Sequence, residues 1–225
     1  MKKNKIFVAC DSTNISKIKK IITQTQNSNL KIGYKFGLEF LNSKNGRKFV
    51  SKLRNKIVFA DLKIHDIPNT CVSAIKAIKD LRVDYLTIHI SSGLKALKAS
   101  KKAAAKTKLI GVSILTSLDN KSLKEIGFDK NVTKLVLHQA KLASKANLDA
   151  IVCSAQEVRL VKKVFKKEII TPGIRFNKKD NNDQKRILTP KEAYKNGSDW
   201  LVIGRPITKG NIKKNIQTLI DHLNQ

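Results

Sequence analysis

The sequence predicts an α/β fold, a (β/α)8 TIM barrel that spans residues 1–225 as a single domain. Short apolar runs alternate with amphipathic segments along the whole chain, and this alternation is typical of a parallel sheet covered by helices. Eight such units can be counted, which is the number a barrel needs, although 225 residues is fewer than its usual length of about 250. No Pro-, Gly- or Ser-rich linker divides the chain.

The strands are predicted from the apolar runs and the helices from the spacing of apolar residues between them. The predicted strands cover residues 6–10, 30–34, 57–62, 85–88, 109–115, 150–153, 168–171 and 201–203. Asn14 can cap the first helix, a second helix is predicted over residues 38–53, and Pro68 suits the first turn of the third. Further helices are predicted near residues 94–105, 135–146, 158–165 and 212–223.

The alternative fold is a doubly wound open sheet. That fold usually has a glycine-rich turn after its first strand, whereas this chain has Asp11-Ser12-Thr13-Asn14 there. The absence of glycine from this turn favours the barrel.

The charge is strongly unbalanced: 46 Lys and Arg face 17 Asp and Glu, a formal net charge of +29. Such a charge is typical of a protein that binds a polyanion. However, 39 of the 46 cations are Lys, they are spread from end to end, and aromatic residues make up only 5%. Nucleic-acid readers depend more on Arg and on aromatic stacking. We therefore interpret the charge as a composition bias in an ordinary enzyme and expect no nucleic-acid partner.

The sequence also bears on location. The longest apolar runs are about five residues, whereas a membrane span needs about 20, so no membrane association is expected. The N-terminal apolar run stops at Asp11, which is too short for a signal peptide. Cys10, Cys71 and Cys153 are widely separated and odd in number, which indicates reduced thiols and no CxxC metal site. A cytoplasmic location is expected.

Charged and polar side chains follow nearly every predicted strand. In a barrel these strand ends together form the active site. The candidates are Asp11, Lys31, Lys35, Asp61, Lys63, His65, Asp66, His89, Thr116, Ser154, Arg175 and Arg205. Taken alone, His89 is more simply a half-buried histidine, and Cys10 and Cys153 are more simply packing residues.

The densest segment is Asp61-Leu62-Lys63-Ile64-His65-Asp66. Asp61 and Lys63 are two residues apart in a strand, so both point into the barrel mouth. Carboxylates on either side keep an ammonium protonated, and this suits a general acid that delivers a proton to a basic carbon. A salt-bridged strand end is the structural alternative.

This segment resembles the signature of the orotidine 5′-phosphate decarboxylase family. Five further motifs are similar to that family and occur in the same order along the chain. They are Val8-Ala9-Cys10-Asp11, Lys31-Ile32-Gly33, Leu115-Thr116-Ser117, Thr171-Pro172-Gly173-Ile174-Arg175 with Asn182-Asp183-Gln184, and Val202-Ile203-Gly204-Arg205.

The resemblance implies a barrel that decarboxylates orotidine 5′-phosphate to UMP with no metal or organic cofactor. Lys63 would protonate C6 of the pyrimidine, and Asp61 would face the substrate carboxylate. Lys31 would hold Asp61, and Asp66 would hold Lys63. The implied assembly is a homodimer with shared active sites.

The resemblance also implies the binding residues. Asp66, Ile67 and Thr70 would reach into the neighbouring subunit's site. Asp11 and Thr70 would bind ribose hydroxyls, and Thr116 and Arg175 belong to matched loops. The 5′-phosphate would be held by Gln184, Gly204 and Arg205.

Two alternative functions each fit part of the sequence. Magnesium-dependent sugar-phosphate decarboxylases and aldolases resemble the same barrel, but they have Glu where this chain has Lys31, and an ammonium there would repel a metal ion. A basic nucleic-acid-binding protein would explain the charge but not three acidic groups at strand ends, which would repel phosphate. The segment Lys35-Phe36-Gly37 departs from the family pattern, which is more acidic or apolar there.

Overall fold

The computed structural model describes residues 3–176 and 187–224. Eight parallel strands pair in chain order and close through contact between the first and the last, which confirms the predicted (β/α)8 TIM barrel. The strands are β1 (Asn4–Ala9), β2 (Leu30–Phe36), β3 (Ile57–Ile64), β4 (Tyr85–His89), β5 (Lys108–Val112), β6 (Ala150–Val152), β7 (Glu168–Thr171) and β8 (Trp200–Ile203).

Helices cover the outside of the barrel. They are α1 (Ile15–Gln24), α2 (Leu38–Leu41), α3 (Gly46–Lys52), α4 (Pro68–Ala77), α5 (Gly93–Ala104), α6 (Asn120–Glu125), α7 (Val132–Lys145), α8 (Val158–Val164), α9 (Pro190–Asn196), α10 (Arg205–Thr208) and α11 (Ile212–Asn224). The Asn14 side chain accepts a hydrogen bond from the Lys17 amide at 3.0 Å, as its predicted capping role requires. Pro68 begins α4, also as predicted.

The structure differs from the predicted helices over residues 38–53, and also at α6, α9 and α10, where no helix was predicted. The helix predicted over residues 38–53 is two short helices, and Gly46 begins the second where the Phe40 carbonyl leaves no room for a Cβ. The helix α9 was not predicted. Its sequence signal is a capping box, in which Thr189 and Glu192 satisfy each other's backbone amides ahead of Pro190.

Two apolar layers hold the barrel together. The outer layer packs the helices against the sheet. The inner layer fills the middle of the barrel, where Phe7 stacks on Trp200 at a ring-centroid distance of 4.2 Å. Gly33 of β2 makes room for Phe7, because a Cβ at this position would lie 2.6 Å from the ring. The inner layer thus separates the two ends of the barrel.

A half-buried carboxylate occupies the N-terminal end of the barrel. Glu168 accepts hydrogen bonds from Lys108 Nζ at 2.8 Å and from the Tyr85 hydroxyl at 2.9 Å, and Lys5 and Trp200 lie within 3.5 Å of it. An aspartate immediately precedes each of β4, β6 and β8. Each one accepts a hydrogen bond from the backbone amide of the second residue of the neighbouring strand β3, β5 or β7. These bonds join Val58 N to Asp84, Leu109 N to Asp149 and Ile169 N to Asp199, at 2.7, 2.8 and 2.9 Å. The carboxylates at this end are therefore paired within the protein, and the cavity lies at the other end.

Within residues 3–176 and 187–224, no helix is both long and apolar enough to cross a membrane. The three cysteines are free and buried.

Candidate active site

A cavity of about 590 Å³ opens at the C-terminal ends of the strands, a volume within the usual range for small-molecule sites. Its wall includes seven of the predicted site residues: Asp11, Asp61, Lys63, Thr116, Arg175, Gly204 and Arg205. Lys35 also lines it, whereas Lys31 does not.

The cavity floor carries a row of alternating charges. Asp61 Oδ2 lies 2.8 Å from Lys63 Nζ and 3.4 Å from Lys35 Nζ. Lys35 Nζ also lies 3.3 Å from Asp11 Oδ1. The Asp61 and Lys35 side chains are only 12% and 11% exposed, while that of Lys63 is 33% exposed. Lys63 therefore presents its ammonium to the cavity while Asp61 holds it from behind.

The charges in this row determine one another's ionisation. Burial by itself raises the pKa of Asp61, but the ammonium groups of Lys35 and Lys63 outweigh burial and hold the pKa below its ordinary value. Burial by itself lowers the pKa of Lys35, but the carboxylates of Asp61 and Asp11 outweigh it and raise that pKa. Asp61 and Lys35 are therefore both charged at neutral pH.

The prediction that Lys31 holds Asp61 is wrong. Lys31 is exposed near the start of β2 and pairs in register with Lys5, at the N-terminal end of the barrel. Lys35, four residues further along, pairs with Ala9 and reaches the cavity. The predicted strand ended at residue 34 and left Lys35 in a loop, whereas β2 continues to Phe36, so Lys35 is part of the strand and points inward.

The backbone around Lys63 is irregular. Ala60 pairs with Leu86 and Ile64 with Ile88, so residues 61–63 of β3 face Thr87 alone. This is a β-bulge, and Lys63 has φ of +50°. The Lys63 amide donates to Thr87 Oγ1 at 2.8 Å, and the Thr87 hydroxyl donates to Asp61 Oδ1 at 3.1 Å.

Three predicted site residues lie outside the cavity wall, on the turn after β3 and on α4. Asp66 is exposed, and its Oδ1 accepts from the Ile67 amide at 2.7 Å. Ile67 is 67% exposed, and Thr70 is exposed on the first turn of α4. The Cys71 thiol donates to the Asp66 carbonyl at 3.1 Å and fixes the turn. None of the three residues lines the cavity that holds Lys63.

Cationic and backbone groups from β7 and β8 form the opposite wall. Arg175 follows β7, is buried, and donates to the Ile174 carbonyl at 2.9 Å. Gly204 follows β8, and Arg205 begins α10. Gln184 and the rest of its motif lie outside the described residues.

The remaining titratable candidates have other surroundings. His89 ends β4, with its ring centroid 5.2 Å from that of His65. Burial, together with electrostatic interactions with His65 and Lys63, lowers the pKa of His89. Burial raises the pKa of Cys10 to about 12, so its thiol is protonated at neutral pH, as a packing residue requires. In the described part of the chain no three His, Cys, Asp or Glu side chains are grouped as metal ligands.

Comparison with known proteins gives consistent matches over nearly the whole chain. A sequence model of the Orotidine 5′-phosphate decarboxylase / HUMPS family matches residues 4–216. The chain is 43% identical to an orotidine 5′-phosphate decarboxylase of Wolbachia sp. subsp. Brugia malayi, covering 96% of this chain and 97% of that protein. It is 40% identical to a Coxiella burnetii protein of the same name, covering 91% and 90%. A crystal structure of the Lactobacillus acidophilus orotidine 5′-phosphate decarboxylase superimposes with a TM-score of 0.83 at 29% identity, covering 99% and 100%.

Proposed function

The chain belongs to the Orotidine 5′-phosphate decarboxylase / HUMPS family, and we propose that it decarboxylates orotidine 5′-phosphate to UMP without a metal or organic cofactor. One observation carries the proposal: the Lys63 ammonium is held by Asp61 on the cavity floor, 2.8 Å away. The similarity to relatives named for this activity supports the choice of substrate.

The chemistry asked of Lys63 is protonation of carbon. The bond between C6 and the substrate carboxylate breaks, its electron pair stays on C6, and carbon dioxide leaves. The Lys63 ammonium stabilises the negative charge that develops at C6 and donates a proton to form UMP. Lys63 then regains a proton from water.

Asp61 and Lys35 prepare this step. Asp61 would face the substrate carboxylate and aim the Lys63 ammonium. Lys35 would keep Asp61 ionised by balancing its negative charge from the other side. This is the role that the sequence predicted for Lys31. Because the row is charged before substrate arrives, little reorganisation is needed when the charge forms at C6.

The two walls of the cavity suit the two ends of the substrate. The strands β3 and β7 are four positions apart in an eight-stranded barrel, so they lie across its mouth. The 5′-phosphate would bind at Gly204, Arg205, Arg175 and Gln184, in the region where barrels commonly bind phosphate. Asp11 would bind the ribose, and Thr116 lines the same cavity. Binding energy from the phosphate can then lower the barrier at C6.

We further propose a homodimer that shares its active sites. Asp66, Ile67 and Thr70 would enter the partner's cavity, with Asp66 beside the partner's Lys63 and Thr70 at the ribose. Ile67, 67% exposed beside Asp66, is the apolar side chain that such a contact would bury.

The family name covers a second activity, the magnesium-dependent reactions on sugar phosphates. Lys35 argues against them. Its ammonium lies 3.3 Å from Asp11 and 3.4 Å from Asp61, between the two carboxylates that would otherwise attract a cation. A divalent ion would have to displace it.

The test is the loss of absorbance of orotidine 5′-phosphate when the pure protein is added in the presence of EDTA. We expect full turnover. Activity that vanishes on chelation and returns with Mg²⁺ would overturn the metal-free proposal, and a protein that acts only on a sugar phosphate would overturn the substrate.

Two variants test the separate roles of Lys63 and Arg205, with turnover measured by absorbance and UMP affinity by calorimetric titration. Lys63→Ala should abolish turnover and leave UMP affinity largely intact, because Lys63 acts in the transition state. Arg205→Ala should weaken UMP binding by about 1.5–3 kcal/mol, the usual value of a charge-assisted hydrogen bond. If UMP affinity falls as steeply as turnover in Lys63→Ala, then Lys63 is a binding or folding residue.

A further inference from the structure

We infer that Thr87 is a positioning residue for the decarboxylation, because its hydroxyl ties the Lys63 backbone to the Asp61 carboxylate. The inference rests on the proposed function. Thr87 lies in the middle of β4, is 0% exposed and does not line the cavity. Its contribution would therefore pass entirely through its two neighbours on β3.

The bulge explains why a side chain is needed at this position. Residues 61–63 face Thr87 alone, so the regular pairing between β3 and β4 is interrupted at Lys63. A buried amide without a partner is costly. Thr87 Oγ1 supplies that partner and accepts from the Lys63 amide at 2.8 Å.

The hydroxyl has only one proton, so its geometry is directional. Having accepted from the Lys63 amide, Thr87 Oγ1 donates its proton to Asp61 Oδ1 at 3.1 Å. The other carboxylate oxygen, Oδ2, holds Lys63 Nζ at 2.8 Å. Asp61, Lys63 and Thr87 thus form a closed ring of contacts that fixes both the backbone and the tip of Lys63.

The closed ring of contacts stabilises an unusual backbone conformation of Lys63. Lys63 has φ of +50°, a left-handed conformation that is unfavourable for a non-glycine residue. The other non-glycine residues with positive φ in the described ranges, namely Asn55, Arg82, Ala105 and Asn147, lie outside the helices and strands. Lys63 alone among the described residues has this conformation within a strand.

The test compares wild type with Thr87→Val, which keeps the shape and removes the hydroxyl. We expect the single-turnover rate of decarboxylation at saturating substrate to fall by about 10- to 100-fold, the usual effect of a misplaced catalytic group. UMP affinity should change by less than about threefold, and Thr87→Ser should recover most of the rate.

Thr25→Val is the matched control. Thr25 is also 0% exposed, and its hydroxyl also makes hydrogen bonds, to the Ile21 carbonyl and with the Tyr34 hydroxyl. Thr25, Ile21 and Tyr34 do not line the cavity. This variant should lose stability and keep the wild-type rate. If Thr87→Val does not fold, Thr87→Ala is measured against the same criteria.

The outcomes separate the inference from the proposed function. A wild-type protein without activity on orotidine 5′-phosphate contradicts the function. An active wild type with a Thr87→Val variant that keeps its rate contradicts the inference alone, as does a Thr87→Ser variant no faster than Thr87→Val.

Discussion

At the scale of single residues, the position of Lys35 decides how Asp61 behaves. A carboxylate as buried as Asp61 would be destabilised as an anion if only one cation compensated it. Lys35 supplies the second cation at 3.4 Å and is itself held by Asp11. The charge of Asp61 therefore depends on a residue that contacts it directly but is not itself proposed to transfer a proton.

The variants Lys35→Ala and Lys31→Ala form a matched pair on one strand. We expect Lys35→Ala to lower kcat on the order of 10²-fold, since Asp61 loses a compensating charge. Lys31→Ala should change kcat by no more than about twofold, because exposed charges contribute little. Both variants are compared by steady-state kinetics, with circular dichroism to verify folding; the reverse order of effects would restore the first assignment.

These two lysines also show which site residues could be predicted from the sequence. Alternation along a regular strand predicted that Asp61 and Lys63 share a face; both do line the cavity, although the bulge at residues 61–63 means that regular alternation is not what places them there. The choice between Lys31 and Lys35 required the end of β2, because both lysines have the same parity along the strand. Thr87 carried no sequence signal, since a threonine in an apolar strand is ordinary until the bulge opposite it is known.

At the scale of elements, β7 joins the two ends of the barrel. Its first residue, Glu168, closes the N-terminal end, and its last, Thr171, leads into the proposed phosphate loop. Burial by itself raises the pKa of Glu168, but hydrogen bonds from Lys108 and Tyr85 outweigh burial and lower it. Conversely, burial and the Glu168 charge raise the pKa of Tyr85 to about 12.

Glu168→Gln should therefore remove a pH-dependent part of the stability. A carboxyl with a lowered folded pKa stabilises the fold above its ordinary pKa of 4.5, and this stability is lost as pH falls through the folded pKa. We expect the variant to lose about 1–3 kcal/mol at pH 7, a loss that shrinks below pH 4.5. Urea unfolding from pH 3 to pH 8 measures it.

The exposed Glu125, at the end of α6, provides the control as Glu125→Gln. Its unfolding free energy should follow that of wild type at every pH. A Glu168→Gln difference that stays constant from pH 3 to pH 8 would mean that the side chain acts through packing and not through charge.

Helix boundaries depended on short-range signals of unequal strength. The cap at Asn14 and the first-turn Pro68 were visible because an apolar periodicity followed each of them. The seven residues of α9 are too few for such a periodicity, so its capping box alone marked it. The break between α2 and α3 follows from the close approach of Gly46 to the Phe40 carbonyl six residues earlier, and the Asn45-Gly46 dipeptide is the local sequence signal for this turn.

At the scale of the whole molecule, the order of the strands was predictable because each unit buries its own apolar strand and helix face. Most site residues follow from that order, since parallel strands bring their ends together. The net charge of +29 did not help in locating the site. A cytoplasmic location remains a prediction. The dimer also remains a prediction, and it depends on Asp66, Ile67 and Thr70, which are exposed in the single chain.

The shared active site is tested by mixing two inactive variants, Lys63→Ala and Asp66→Asn, after unfolding and refolding them together. If Asp66 serves the partner's site, a mixed dimer has both lesions in one site and none in the other. Random pairing makes about half of the dimers mixed, so roughly a quarter of wild-type activity should return.

The arithmetic depends on the symmetry of the dimer, in which each subunit gives the contact that it receives. If Asp66 acted within its own subunit, every site in every dimer would carry one lesion and the mixture would stay inactive. Each variant refolded alone is the control, and subunit exchange is verified with two affinity tags. An inactive mixture that demonstrably contains mixed dimers would contradict the shared site and leave the proposed decarboxylation standing, because that proposal depends on Lys63 and Asp61 of a single chain.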